Sequence, residues 1–270
     1  MRRDNVFLLA CLLVLIVPLP AWAQRIRDAA DLLNKVKETY SSLKSFQVEG
    51  VMSTESQSVG MQAKMDLPFE ADFAAPNKMR MEMKNPLVAI LVVSDGRAAW
   101  MYFSSTKTYS RIDLGDLRRF GAGSEADEGR EAFMGFSAAA GVPFDILQST
   151  LTYGMKHAAI SGEEDVELEG MKIPCYVVQV EYAREKGAKW GPSGSKSYWI
   201  DKGRFVVLRD SFQTHVDSGM LGAPQDLHHT TSLTRFKLNE PVPDEVFEFT
   251  PPEGAKEAEG NAGWQPKLEH

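Results

Sequence analysis

Along most of this chain, apolar and polar side chains alternate with a period of two, and that rhythm restricts the fold more than any other feature. Its clearest stretch sets Met79, Met81 and Met83 against Arg80, Glu82 and Lys84, and is closed by Asn85-Pro86. Successive side chains of an extended chain point to opposite sides, so such a run buries one face and leaves the other wet. Phe46, Val48, Gly50 and Met52 alternate in the same way. Further strands are expected over 60–73, 87–93, 98–103 and 108–112, then over 158–168, 171–182, 195–200, 205–212, 230–236 and 246–249. Pro68 predicts an edge or a bulge in the first of these, and Ser94-Asp95-Gly96 a tight hairpin turn.

Two segments break the rhythm. Ahead of the first strand, Leu32, Leu33, Val36, Tyr40 and Leu43 recur at steps of three and four, with Asp28 placed to cap the helix they define. Between 113 and 155 the pattern becomes helical again, with short helices expected over 131–139 and 143–151. Phe133, Phe136, Phe144, Ile146, Leu147 and Leu151 give this insert more apolar surface than a loop needs. The order is helix, strand meander, helical insert, strand meander. It predicts a mainly β (α+β) chain: a single curved antiparallel sheet forming an incomplete, half-open barrel. The first helix and the insert would plug it.

The first 23 residues read as a secretion signal. Arg2 and Arg3 precede an apolar stretch from Val6 to Leu19, and Ala21-Trp22-Ala23 offers a small-x-small cleavage site before Gln24. The run Leu8-Leu9-Ala10-Cys11 loosely resembles a lipoprotein cleavage box, but cleavage after Ala23 is favoured because too little apolar sequence precedes Cys11. Export to the periplasm is therefore expected. Residues 24–254 would form one domain, and 255–270 a polar, disordered tail. The signal takes two Arg and one Asp with it, so the formal charge moves from −7 to −8 over the remaining 247 residues. An acidic chain lacks the positive stripe that phosphate contact requires, which argues against nucleic acid as a partner. Only Cys175 remains of two cysteines, so no internal disulfide can close, and its apolar strand predicts an inert buried thiol.

The catalytic inventory is thin. His157, His215, His228, His229 and His270 show no metal-ligand spacing and read as surface histidines. There is no Gly-x-Ser-x-Gly elbow, and Gly191-Pro192-Ser193-Gly194-Ser195 is a turn without the Gly-Lys-Ser/Thr of a phosphate loop. The carboxylate runs at 124–128 and 163–165 read as solvated loops, since acid–base work would need one carboxylate desolvated in a cleft. No enzyme, cofactor or metal site is expected. The apolar side is more informative. Met79, Met81 and Met83, with Phe46, Val48, Met52, Trp100 and Tyr102, could be ordinary core under the first helix. The pattern alone favours core; the alternative is an adaptable cavity, because methionine fills irregular apolar space.

From Ala75 to Tyr102 the residues become recognisable. Ala75-Pro76-Asn77, the strand Met79 to Lys84, Asn85-Pro86, Leu91-Val92-Val93-Ser94-Asp95-Gly96-Arg97 and Trp100-Met101-Tyr102 resemble the LolA-like periplasmic outer-membrane lipoprotein-sorting carriers. Leu43-Lys44-Ser45-Phe46, Val142-Pro143-Phe144-Asp145-Ile146-Leu147 and Phe247-Glu248-Phe249-Thr250-Pro251-Pro252-Glu253-Gly254 are similar to other parts of that family. The resemblance implies a half-barrel whose apolar cavity takes acyl chains of lipids or lipoproteins. The methionines would lie inside and the insert would act as a lid. It further implies a monomer working with a membrane-bound donor or acceptor. Ala75 stands where the family has Arg before Pro-Asn, which leaves a sensor or protein-interaction role on the same scaffold as the alternative.

Overall fold

The computed structural model describes residues 28–58, 61–75, 78–85, 89–113, 150–152, 154–183, 194–216 and 224–258. The expected signal segment lies outside them, as do the lid residues Phe133, Phe136, Phe144, Ile146 and Leu147 and the last twelve residues of the tail.

Helix α1 spans Ala29–Ser42, and the Asp28 carboxylate accepts a hydrogen bond from Ala30 N (2.9 Å), answering one of the amides that a helix start leaves unpaired. Its buried stripe, Leu32, Leu33, Val36 and Tyr40, is the one expected from the spacing. Tyr40 anchors it to the sheet: its hydroxyl accepts a bond from Val207 N (3.2 Å), and burial holds the phenol well above its ordinary ionisation range.

Every strand among the described residues joins one open antiparallel sheet, apart from a short parallel pairing at one margin. The strands are β1 (Ser45–Ser58), β2 (Met61–Ala74), β3 (Lys78–Met83), β4 (Ile90–Asp95), β5 (Ala98–Phe103), β6 (Thr108–Asp113), β7 (Met155–Leu168), β8 (Met171–Tyr182), β9 (Gly194–Asp201), β10 (Val207–Val216), β11 (Gln225–Leu238) and β12 (Lys256–Glu257). Strand β1 sits in the middle. The first meander, β2 to β6, runs out on one side of it, and β11 back to β7 runs out on the other. The chain therefore leaves one margin after β6 and resumes at the opposite margin with β7.

Two devices curve this sheet. Between Glu49 and Gly50 the β1–β11 register slips by one residue, leaving Thr234 as the extra residue of a bulge. The Thr234 carbonyl then accepts a bond from Glu169 N (3.3 Å), although β8, β9 and β10 separate the two strands in sheet order. Glu169 (φ 51°) and Gly170 (φ 76°) form the two-residue β7–β8 turn with positive φ at both positions, which matches the twist of a tight hairpin. The β7–β11 half thus rolls back on itself while the β2–β6 half stays open, an incomplete barrel.

The β9–β10 turn is held by one carboxylate. Asp201, almost fully buried, accepts from Gly203 N (2.7 Å), Arg204 N (3.2 Å) and Arg204 Nε (2.5 Å), while Phe205 takes positive φ. Asp201→Ala strands these donors and should lower unfolding stability by about 2 kcal/mol in a denaturant titration. An unchanged midpoint would show that the turn holds without it.

Two expectations need correcting. Residues 246–249 do not form a strand. Asp244–Phe247 is a 3-10 turn, because Pro241, Pro243, Pro251 and Pro252 fix φ and remove the donors a ladder would use. The chain also does not leave the sheet after Gly254, since Lys256 and Glu257 pair with Thr108 and Tyr109 of β6.

Candidate functional site

Pairing across the open half of the sheet stacks its inward side chains into three rows. One row runs Phe236, Val48, Ala71, Met81, Val92, Met101. A second runs Leu233, Gly50, Phe69, Met83, Ile90, Phe103. The third runs Leu238, Phe46, Phe73, Met79, Ser94, Ala99. Ser94 is the single polar side chain in this field, and its hydroxyl accepts from Gly96 N (3.3 Å) in the turn below. The Phe46 and Phe73 rings stack at 4.9 Å. Met81, Met83 and Met101 are at most 1% exposed; Met81 and Met83 are neighbours on β3, and Met101 ends the first row across Val92. Met52 continues it along β1.

Of the eight residues expected to share this face, Phe46, Val48, Met52, Met79, Met81 and Met83 do. Trp100 and Tyr102 do not. Met81 pairs with Val92 and Val92 with Met101, so the inward residues of β5 are Ala99, Met101 and Phe103, and the pleat turns Trp100 and Tyr102 outward. There Trp100 stacks on Phe249 (5.7 Å), with the Arg111 guanidinium over its ring (5.8 Å). Phe247 is buried nearby on the C-terminal segment, which is tied to β3 by Lys78 Nζ and Asp244 (2.7 Å). The sheet is therefore apolar on both sides at β5, and its outer side is covered by the end of the chain. The one expected lid residue that is described, Leu151, belongs to the core: its carbonyl accepts from Tyr182 Oη (2.7 Å), whose oxygen lies 2.9 Å from Tyr198 Oη.

At the margin of the inner face sits a polar group that the sequence did not single out. Phe212 lies between Lys196, whose ammonium is 4.6 Å from the ring centre, and His229, stacked at 4.6 Å. Thr54 Oγ1 is 3.0 Å from His229 Nδ1. Burial, then the charges of His228 and Lys196, push the His229 imidazole below its ordinary value. His229 is thus half-buried rather than a surface histidine, and the adjacency His228-His229 was its only signal. His228 faces the other side, 2.7 Å from Ser211 Oγ.

The opposite face holds charge and two shallow grooves of about 150 and 230 Å³. Glu70 pairs with Lys84 (2.7 Å) in the first, and Arg235 with Glu49 between them. The carboxylate run at 163–165 lies on the exposed edge strand β7, where Glu163 pairs with Lys202 (2.5 Å) and Glu164 accepts from Trp199 Nε1 (2.8 Å). Among the described residues, no three His, Cys, Asp or Glu side chains converge as a metal site.

Cys175 is fully buried, and desolvation, aided by Asp201, pushes its thiol up to about 11. The thiol should resist alkylation at pH 8 in the native protein and react fully in denaturant. Because the folded-state value is raised, this group's contribution to stability is complete below the ordinary value of 9.0 and is lost as pH climbs towards about 11. Rapid native labelling would contradict this placement.

No known family profile matches the sequence. The chain is 24% identical over 232 residues to an uncharacterized protein of Methanocaldococcus jannaschii. The match covers 85% of this chain and 53% of that protein, so the chain spans about half the length of the curated relative it matches. Among solved structures it is similar to a DUF1329 family protein from Desulfovibrio piger, with 13% identity, coverage of 83% of this chain and 98% of that one, and a TM-score of 0.38. It is also similar to a LolA superfamily protein from Nitrosomonas europaea, with 14% identity, 83% and 99% coverage and a TM-score of 0.34.

Proposed function

We propose that this chain is an exported, LolA-like protein that binds acyl chains of lipids or lipoproteins on the inner face of its sheet, without catalysing a reaction on them. The observation that carries this reading is the field of methionines, Met79, Met81, Met83 and Met101, set among aliphatic and aromatic side chains in three continuous rows. Methionine is unbranched and polarisable, so a face built around it can repack against chains of different length and unsaturation. Each methylene moved out of water contributes about 0.8 kcal/mol, so ten of them amount to roughly 8 kcal/mol before the cost of opening the core. Met81, Met83 and Met101 are buried in this structure, so binding requires them to part, and the ligand then takes the place of core contacts.

A titration with a fluorescent fatty acid tests the reading. Saturable uptake with one chain per protein, displaced by unlabelled lipid, is expected. Absence of uptake by protein first stripped of lipid in mild organic solvent would sink it. A second reading, an envelope sensor or protein-interaction module, is favoured by Ala75 where the resembling family has Arg. It predicts a stable protein partner in envelope fractions and indifference to fatty acid.

A further inference from the structure

Among the described residues, one stretch of the sheet is paired on one side only and is weakly defended on the other. Strand β3 pairs with β2 only from Phe69 to Ala74, so Met61–Leu67 has β1 on one side and, among the described residues, no strand on the other. The direction of its backbone groups follows from a single bond. Lys84 N donates to Pro68 O (2.9 Å), which places the Pro68 carbonyl on the β3 side. By alternation the N–H and C=O of Asp66, Lys64 and Gln62 point the same way, off the free edge. Pro68 has no N–H to give, and it marks where two-sided pairing stops.

The side chains at this edge are unusual for an exposed strand. Met61 (54% exposed), Ala63, Met65 (48% exposed) and Leu67 line the inner side, in file with buried Phe69. Gln62, Lys64 and Asp66 line the outer side. Proteins normally blunt such edges with charge, bulges or brevity. Here β7 carries Glu163, Glu164, Asp165 and Glu167 and two register breaks, and β12 is two residues long. The β2 edge has one lysine, occupied with Glu55 (3.8 Å) and Asp66 (3.7 Å), and no bulge.

We propose that Met61–Leu67 is a strand-addition site for an extended segment of a partner protein, lying antiparallel to β2 and in line with β3. The segment would place apolar side chains at alternate positions beside Met61, Ala63, Met65 and Leu67, and polar ones beside Gln62, Lys64 and Asp66. A lipid surface could cover the methionines but could not pair three amides and three carbonyls, and this chemistry selects a polypeptide. The site stands independently of acyl binding.

The register makes the test specific. In an antiparallel pair, residues that exchange hydrogen bonds lie directly opposite and on the same face, so the bonding residues of the guest oppose Gln62, Lys64 and Asp66 and are its polar ones. The probe is a dye-labelled seven-residue peptide with Val at odd and Thr at even positions, followed by fluorescence anisotropy. Saturable binding is expected; N-methylation of the Thr amides should abolish it, and N-methylation of the Val amides should be tolerated. Lys64→Pro removes a donor that the β1 ladder does not use and should weaken binding at least about tenfold at an unchanged thermal midpoint. If that variant fails to fold, the two methylated peptides still decide. Equal binding by both methylated peptides would overturn the proposal. So would indifference to a folded Lys64→Pro, or self-association through this edge without peptide binding.

Discussion

Gly50→Ala should lose about 3 kcal/mol or more of unfolding stability. A Cβ at position 50 would stand 2.6 Å from Phe69 Cζ and 2.7 Å from the Ser232 carbonyl oxygen. The ring cannot swing aside, because Phe69 is 2% exposed within the second row, and the carbonyl belongs to the β11 backbone. The bulge that bends β1 against β11 starts at this residue, so displacement would propagate into the curvature of the sheet. A denaturant titration beside Gly170→Ala gives the comparison. Gly170 has φ 76° and open space around it, so its variant carries backbone strain alone, about 1 kcal/mol. Adding Phe69→Leu to Gly50→Ala should recover part of the loss, since the carbonyl contact remains. Equal costs at the two glycines would contradict the packing described.

Met81→Ala should cost the lipid-free protein roughly 2–4 kcal/mol, because Met81 is fully buried in the centre of the first row and its loss leaves a cavity. The acyl-binding reading adds a second expectation. A ligand that occupies this face refills the void, so saturating fatty acid should raise the thermal midpoint of Met81→Ala more than that of the parent protein. Trp100→Ala, on the outer face, should show no such differential response. A ligand-induced shift of equal size in Met81→Ala and Trp100→Ala would place the chain elsewhere.

The sequence carried the fold wherever a strand meets solvent on one side. The alternation of Met79 to Lys84 and the 3.6 spacing of Leu32 to Tyr40 each correspond to an element found, with the buried face as expected. The face of Trp100 and Tyr102 was not legible, because Ala99, Met101 and Phe103 are apolar too and alternation separates faces only when one of them is polar. The covering that makes both sides apolar is the C-terminal segment, 140 or more residues away in sequence. The carboxylates at 163–165 fall within the strand expected over 158–168, but their exposed side chains carry no apolar phase that would distinguish strand from solvated loop there. The His229, Phe212 and Lys196 group, and the free edge at Met61–Leu67, depend on which strands pair and where pairing stops. Both are properties of register that no local pattern contains.

The central claim, that acyl chains lie on the inner face, is tested most directly with a fatty acid carrying a diazirine near its methyl end. It would be photolysed in complex with the protein and the adduct mapped by peptide mass spectrometry. Labelling is expected within β2 to β5 at inward positions, chiefly Phe69, Met81, Met83 and Met101. Adducts at Trp100, Tyr102 or the charged grooves of the opposite face, or no adduct at all, would contradict it.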